Sequence, residues 1–124
     1  MRMSRGEAAK NRKRVVQTAS ELFREDGYDG IGISTLMKAA GLTNGAFYKQ
    51  FDSKEALIAE ATTHGLQENE ATWREVLDRA DGDPLQAITD WYLSRLHLEH
   101  RGEGCTYAAL ANEAPRREAA VQQA

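Results

Sequence analysis

The chain has 124 residues, of which 41% are hydrophobic and 28% are charged, as in an ordinary soluble globular protein. Its single cysteine excludes an internal disulfide and indicates a reducing, cytoplasmic location. No stretch approaches the roughly 18 apolar residues of a membrane span, and no apolar run follows the basic start at residues 1–5. Neither membrane insertion nor a signal peptide is therefore expected.

The net charge of −3 conceals an asymmetry between the two halves of the chain. Residues 1–54 contain 10 Lys and Arg against 6 Asp and Glu, a balance of +4, whereas residues 55–124 contain 6 against 13, a balance of −7. A basic half is the electrostatic footprint expected of a protein that binds nucleic acid. A chance skew of surface charge would give the same counts.

The first predicted helix carries an apolar stripe at Val15, Ala19, Leu22 and Phe23 and ends at residues 26–27. Ahead of it lies a basic arm, formed by Lys10, Arg12, Lys13 and Arg14. Such an arm can reach phosphates or the minor groove, or it can be a frayed N-terminus. The sequence leaves both readings open.

Two short helices separated by a glycine turn are predicted over residues 33–51. The first has apolar residues at helical spacing, namely Ile33, Leu36, Met37 and Ala40. Gly41 can take the left-handed conformation that ends a helix, and the Thr43 hydroxyl can cap the next one. Phe47 and Phe51 lie four residues apart and share one face. This is the helix-turn-helix pattern, whose second helix enters the DNA major groove.

The remaining segments also have helical spacing. Ser53 is expected to cap a long helix to about residue 80, with a buried line at Ile58, Leu66, Trp73, Leu77 and Ala80. Asp83 and Pro84 start a further helix, with an apolar stripe at Leu85, Ile88, Trp91, Tyr92 and Leu96. A loop at 101–104, a short helix over 107–113 and a final segment from Pro115 follow. No segment alternates as a strand does, so the predicted fold class is all-α.

The motifs of the first half resemble the DNA-binding domain of the TetR family of one-component bacterial repressors. The resemblance rests on residues 14–28, Ile33, the turn at 39–43, residues 45–51 and residues 53–57, about a third of the chain. A weaker similarity to the same family follows at residues 104–115. The resemblance implies a three-helix DNA-binding domain at 1–54, including the basic arm. A partial, truncated helical domain for effector binding and dimerisation is then expected at 55–124.

The second helix of the predicted helix-turn-helix contains the residues that we expect to contact bases. Asn44 can pair with adenine, Lys49 can donate to guanine, and the small Gly45 and Ala46 allow close approach to the base edges. The resemblance adds that Tyr48 and Lys54 contact phosphates and that Gln50 keeps a donor where the family often has a phosphate-contacting histidine. The whole predicted DNA-binding set is Ser34, Thr43, Asn44, Gly45, Ala46, Tyr48, Lys49, Gln50 and Lys54.

The sequence departs from the family pattern in three places. Gly32 stands where Ser or Thr usually caps the second helix, and Met37 replaces a small alanine. Family members also continue past the point where this chain ends, and their last two helices form the dimer interface. A homodimer is therefore expected of a full-length member. The 124-residue chain is expected to be truncated, which puts its dimerisation in doubt.

The second half contains the candidates for an effector cavity, which are Trp73, Trp91, Tyr92, Cys105 and Tyr107. Aromatic residues at helical spacing also form ordinary cores. Cys105 has no neighbouring cation to lower its pKa, so a small apolar filler is favoured over a redox sensor. His64, His97 and His100 lack further ligands at metal-binding spacing, so no metal and no cofactor are predicted.

The predicted function is sequence-specific DNA binding by a transcriptional regulator, a repressor released by a small-molecule effector. The alternative is a truncated helical binding module without autonomous operator binding. An enzyme is not expected, because no nucleophile–base pair or acid pair is visible.

Overall fold

The computed structural model describes residues 4–124, so the first three residues of the predicted 1–54 domain lie outside the described part. Within that part the chain forms helices and no strand, which confirms the all-α class. The helices are α1 (Arg5–Asp26), α2 (Ile33–Ala39), α3 (Asn44–Gln50), α4 (Lys54–Asp78), α5 (Pro84–Tyr92), α6 (Arg95–Glu99), α7 (Thr106–Leu110) and α8 (Ala119–Gln122), with 3-10 turns at Arg101–Glu103 and Ala114–Arg116. No helix in residues 4–124 has the length and apolar character needed to cross a bilayer.

Helix α1 begins earlier than predicted and includes all four residues of the expected basic arm. The Oγ of Ser4 accepts a hydrogen bond from the Glu7 N–H at 3.1 Å. This is the N-terminal signature of Ser followed three residues later by Glu, and it begins the helix before the apolar stripe does. The placement of Lys10, Arg12, Lys13 and Arg14 ahead of the first helix is therefore wrong, because they lie on α1.

The core lies between α1, α4 and the helix-turn-helix. Val15 and Phe23 of α1 pack with Leu57 and Ile58 of α4 in a single buried cluster that also contains Phe47. The same cluster includes residues from both predicted domains, down to Leu110 and Val121 in the C-terminal segment. The boundary between residues 54 and 55 stays a prediction.

At Gly65 the backbone of α4 lies close to its neighbours. A Cβ placed there would lie 2.6 Å from Thr106 Oγ1 and 3.0 Å from Ser20 Oγ. Any larger residue would overlap these atoms, so the absence of a side chain sets the spacing of α4 against α1 and α7. Thr106 Oγ1 is buried and has no hydrogen-bond partner among residues 4–124.

A buried polar cluster fastens the segment before α7 to α1 and α4. The Gly104 carbonyl accepts from Arg24 Nη1 at 2.9 Å and from Asn69 Nδ2 at 2.8 Å. Asn69 Oδ1 accepts in turn from the Thr106 N–H at 2.7 Å. Arg24 also pairs with Glu68 at 2.9 Å, so its buried charge has a counter-ion, as a buried charge requires.

The outer half of α4 is not buried as its sequence pattern predicts. The buried residues of this helix end at Asn69, while Trp73 is 39% exposed and Leu77 is 43% exposed. Helical spacing identifies an apolar face but not whether another element covers it. Helix α5 contacts α4 but has no buried residue of its own. It therefore covers the apolar face of α4 only in part.

The predicted stripe from Leu85 to Leu96 is divided between two helices. The Asp83 cap and Pro84 start are confirmed, with Asp83 Oδ1 accepting from the Leu85 N–H at 3.0 Å. Helix α5 then ends at Tyr92, and Ser94 caps α6 by accepting from the His97 N–H at 3.2 Å. Both ends of the stripe, Leu85 and Leu96, are exposed.

Candidate nucleic-acid interface

The turn between α2 and α3 is built by local hydrogen bonds around Gly41. Gly41 has φ 76°, the left-handed conformation that glycine adopts without steric cost. Its N–H donates to the Lys38 carbonyl at 3.0 Å, and the Leu42 N–H donates to the Met37 carbonyl at 2.9 Å. These two bonds form a Schellman motif, so the prediction that Gly41 ends α2 is confirmed.

The caps of these two helices differ from the prediction. Thr43 occupies the cap position of α3 with extended backbone, but its side chain makes no capping bond. Thr43 is exposed and its hydroxyl accepts no capping bond, so the predicted capping role of that hydroxyl is wrong. Gly32 occupies the cap position of α2, and a Cβ there would meet no atom within 4 Å.

Two phenylalanines anchor α3 and leave its opposite face to solvent. Phe47 is fully buried and Phe51 is 4% exposed, with ring centroids 5.5 Å apart in a stacked arrangement. Tyr48 is 69% exposed and packs against the Phe47 ring at 5.0 Å. The exposed members of the predicted DNA-binding set are Ser34, Thr43, Asn44, Gly45, Tyr48 and Lys49, and the half-buried members are Ala46, Gln50 and Lys54.

Gln50 already has a partner within the chain. Its Nε2 donates to the Ala8 carbonyl on α1 at 3.3 Å, and its Oε1 is buried without a hydrogen-bond partner in the described residues. The amide nitrogen carries two N–H donors, so the bond to Ala8 leaves one of them for the predicted phosphate contact. Gln50 therefore also packs α3 against α1, a contact that sequence reasoning missed, and its DNA contact stays a prediction.

Two basic residues of α1 also hold the fold together. Arg12 forms a two-pronged ion pair with Glu60 at 2.7 and 2.8 Å, and its guanidinium lies 4.5 Å from the centre of the Phe51 ring. Arg14 donates to the Ala40 carbonyl at 3.4 Å. These contacts join α1 to α4 and α2, whereas Lys10 and Lys13 are exposed.

The start of α4 lies next to the helix-turn-helix in sequence and carries Lys54. Ser53 Oγ accepts from the Ala56 N–H at 3.1 Å, which confirms Ser53 as the cap. Lys54 is the first residue of the helix and is half-buried. A helix N-terminus combines free N–H groups with a favourable dipole for anions.

The five predicted effector residues do not line one cavity. Tyr92 and Cys105 line a cleft of about 540 Å³, Trp91 lines another of about 580 Å³, and Tyr107 lines a third of about 650 Å³. Trp73 lies outside these three clefts, in edge contact with Tyr92 at 6.3 Å. These residues are thus divided among separate clefts in residues 4–124, and the effector site that they were expected to form stays a prediction.

Tyr92, His97 and Cys105 form a connected polar group. His97 Nδ1 contacts the Tyr92 carbonyl at 2.7 Å, and His97 Nε2 accepts from the Cys105 N–H at 3.1 Å. The Cys105 side chain caps α7, accepting from the Ala108 N–H at 3.5 Å. A hydrogen bond with Cys105 and burial both raise the pKa of Tyr92. Cys105 is half-exposed. Its capping of α7 is a role that the sequence, which favoured a small apolar filler there, did not indicate.

The largest of these three clefts has a polar floor that the sequence did not suggest. Tyr28 and Thr62 line it together with apolar residues that include Leu66, Leu110 and Val121. The Tyr28 hydroxyl lies 2.7 Å from Thr62 Oγ1, and Tyr28 is fully buried. The sequence indicated no such role for Tyr28, because a tyrosine in a loop gives no signal of its partner.

The pKa of Tyr28 predicts an alkaline loss of stability. Burial raises this pKa above 10.0, against the opposing effect of the Thr62 bond. The folded state therefore holds its proton more tightly than the unfolded state, and the resulting stability is present below pH ~10 and lost as pH rises through the folded pKa. We expect the Tyr28→Phe variant to lack this loss, so its deficit in unfolding free energy relative to wild type should shrink above pH ~10. Urea unfolding at a series of pH values tests this, and a deficit independent of pH contradicts it.

Among residues 4–124, no three His, Cys, Asp or Glu side chains come together as a metal site would need.

Comparisons with known proteins place these features in a family. Residues 15–61 match the family model described as bacterial regulatory proteins, tetR family. The chain is similar to the HTH-type transcriptional repressor DhaR of a Mycobacterium species, with 26% identity over 76% of this chain and 47% of that protein. It is also similar to the HTH-type transcriptional regulator YxaF of Bacillus subtilis, with 34% identity over 68% of this chain and 43% of that protein.

A solved structure agrees in fold. A TetR-family transcriptional regulator from Agrobacterium tumefaciens aligns with a TM-score of 0.77 at 23% identity, covering 94% of this chain and 62% of that one. The chain spans about half the length of the curated relatives that it matches.

Proposed function

The chain belongs to the TetR family of DNA-binding transcriptional regulators, and we propose that it is a repressor that a small-molecule effector releases from its operator. Membership of a family of transcription factors confirms that the chain is not an enzyme. The proposal rests chiefly on one observation. Helix α3 is anchored by the buried Phe47 and Phe51 and presents the exposed Asn44, Tyr48 and Lys49 to solvent.

We assign base reading to the exposed start and outer face of α3. Asn44 is the first residue of the helix, and Lys49 lies in its last turn. An Asn side chain pairs with adenine through two hydrogen bonds, and a Lys ammonium donates to guanine acceptors. A Cβ at Gly45 would meet no protein atom within 4 Å. The helix backbone can therefore approach the base edges there without first displacing another side chain.

The phosphate contacts are assigned to Tyr48, Lys54 and the hydroxyls of Ser34 and Thr43. Tyr48 and the two hydroxyl residues are exposed, and Lys54 is the first residue of α4. Contacts of this kind fix the protein on the duplex but carry no base identity. In a homodimer, the two α3 helices would read half-sites about 34–36 Å apart.

We further propose that residues 1–54 bind DNA and that residues 55–124 carry the effector site. Helix α4 connects the two, because it starts at Lys54 and contributes Thr62 and Leu66 to the cleft that Tyr28 lines. An effector that changes the packing of α4 would move the DNA-contacting residues. Reciprocity is the criterion for such coupling: the effector must weaken operator binding by the same factor as the operator weakens effector binding.

A gel shift with the DNA upstream of the chain's own gene tests the function. We expect a complex that weakens as salt increases, because phosphate contacts release counterions. A small molecule that dissociates the complex and raises the melting temperature of the free protein would identify the effector. Absence of any complex at low salt would favour the alternative, a helical binding module without operator binding of its own.

The Lys54→Ala variant is expected to bind all DNA sequences more weakly, by a similar factor. Its salt slope should fall by about one counterion, because one phosphate contact is lost. Titration of fluorescent operator and random duplexes at several salt concentrations measures both quantities. Arg79→Ala is the matched control, because Arg79 lies at the far end of α4 and pairs with Glu75 in an exposed position. An unchanged slope in Lys54→Ala would remove the phosphate assignment.

A further inference from the structure

Arg117 joins three separate segments of the chain. It follows the second 3-10 turn, and its Nη1 donates to Asp29 Oδ1, in the loop after α1, at 2.8 Å. Its Nη2 donates to Glu55 Oε1 in the first turn of α4. The guanidinium also lies 5.7 Å from the centre of the Tyr28 ring. A planar guanidinium with donors on two sides can bridge two carboxylates in this way, whereas a lysine ammonium is a single point charge.

The bond between Arg117 and Glu55 is largely shielded from water. The Arg117 side chain is 17% exposed and that of Glu55 is 21% exposed. Glu55 Oε2 and Arg117 Nε are buried and have no hydrogen-bond partner in the part of the chain that the structure describes. The carboxylate of Glu55 therefore depends on Arg117 for compensation, while Arg117 has Asp29 as a second partner. Asp29, in contrast, is 78% exposed, so water screens its carboxylate.

Glu55 follows directly after Lys54, the residue to which we assign a phosphate. An uncompensated carboxylate at this place would repel the phosphate backbone, and a partly buried charge is screened less than an exposed one. The positive charge of Arg117 cancels that repulsion. The C-terminal segment is held in place independently, because Glu113 Oε1 accepts from the Tyr28 N–H at 3.1 Å.

We propose that Arg117 is a positioning residue for DNA binding: it holds and neutralises Glu55, so that Lys54 and the start of α4 meet a phosphate without a competing negative charge. This role rests on the proposed function of Lys54. Arg117 lies in the C-terminal segment, so the pair joins that segment to the start of α4, directly beside Lys54.

The test uses Arg117→Gln, Glu55→Gln and the double variant, titrated with a short random-sequence duplex at low salt. A random duplex suffices because phosphate contacts are independent of sequence. We expect Arg117→Gln to bind about three- to tenfold more weakly and Glu55→Gln to bind as tightly as wild type or more tightly. The double variant should return to within about twofold of wild type, because neither charge remains.

The opposite effects expected of the two single variants on DNA affinity distinguish this role from a purely structural one. If the pair only braces the fold, both single variants break it and both weaken DNA binding alike. That result would overturn the proposal, as would wild-type affinity in Arg117→Gln. The exposed pair of Arg79 and Glu75 on the same helix, changed to Gln in the same combinations, is the control and should give no such pattern.

The same titrations also decide the remaining outcomes. If Arg117→Gln does not fold, Glu55→Gln still tests the sign, since Arg117 keeps its bond to Asp29, and weaker DNA binding by Glu55→Gln contradicts the proposal. A wild-type protein that binds no duplex at low salt would remove the proposed function and this role together. A wild-type protein that binds, with all three variants equal to it, would remove only the role of Arg117.

Discussion

Replacing Phe47 with alanine is expected to lower the free energy of unfolding by about 3–5 kcal/mol, the usual cost of truncating a buried aromatic side chain. Phe47 is fully buried, stacks on Phe51 and carries the edge contact with Tyr48. Without its ring, α3 loses its attachment to the core, and an isolated helix of seven residues does not persist in water. Denaturant unfolding followed by circular dichroism measures the loss, and DNA binding should disappear with it.

Tyr48→Ala provides the matched control, one residue away on the same helix. Tyr48 is 69% exposed, so its replacement should change stability by only about 0.5 kcal/mol. Its DNA affinity should nevertheless fall, because the proposed phosphate contact is gone. Similar losses of stability in the two variants would contradict the view that α3 has one anchoring face and one binding face.

Replacing Tyr28 with alanine is expected to have an effect of the same size, about 3–5 kcal/mol. Tyr28 is fully buried, meets the Phe23 ring at 5.4 Å and bonds to Thr62 on α4. The change removes both contacts and opens a void beside the cleft of about 650 Å³. Thermal and denaturant unfolding measure the loss.

Tyr107→Ala is the control for this prediction, because Tyr107 lines the same cleft but is 71% exposed. Its replacement should alter stability by less than about 1 kcal/mol. A loss of stability in Tyr28→Ala no larger than that of the control would show that the loop after α1 is not part of the cooperative core.

The helix-turn-helix could be predicted from sequence because its signals are local. Gly41 and the bonds around it involve residues within five positions of one another, and the spacing of Phe47 and Phe51 defines the buried face of α3 directly. The start of α1 could also have been found, since Ser4 and Glu7 form a recognisable capping pair.

The features that sequence reasoning missed depend on partners far along the chain. Trp73 and Leu77 occupy a helical apolar face, but no spacing rule says that α5 leaves this face partly exposed. Gln50 meets a carbonyl 42 residues earlier, and Arg117 meets Glu55 62 residues earlier. Such pairings follow from the packing of α1 and α4, which local patterns do not determine.

The close contact at Gly65 has a mechanical consequence for the whole of α4. At Gly65 the backbone of α4 itself lies against Thr106 and Ser20, so a shift of either neighbour would act directly on the axis of the helix. The arm from Gly65 to Lys54 is about 16 Å long, and a tilt of about 10° would swing its end by roughly 3 Å. That displacement is as long as a hydrogen bond. Under the proposed function, a small rearrangement beside Gly65 would therefore be large enough at Lys54 to make or break the proposed phosphate contact.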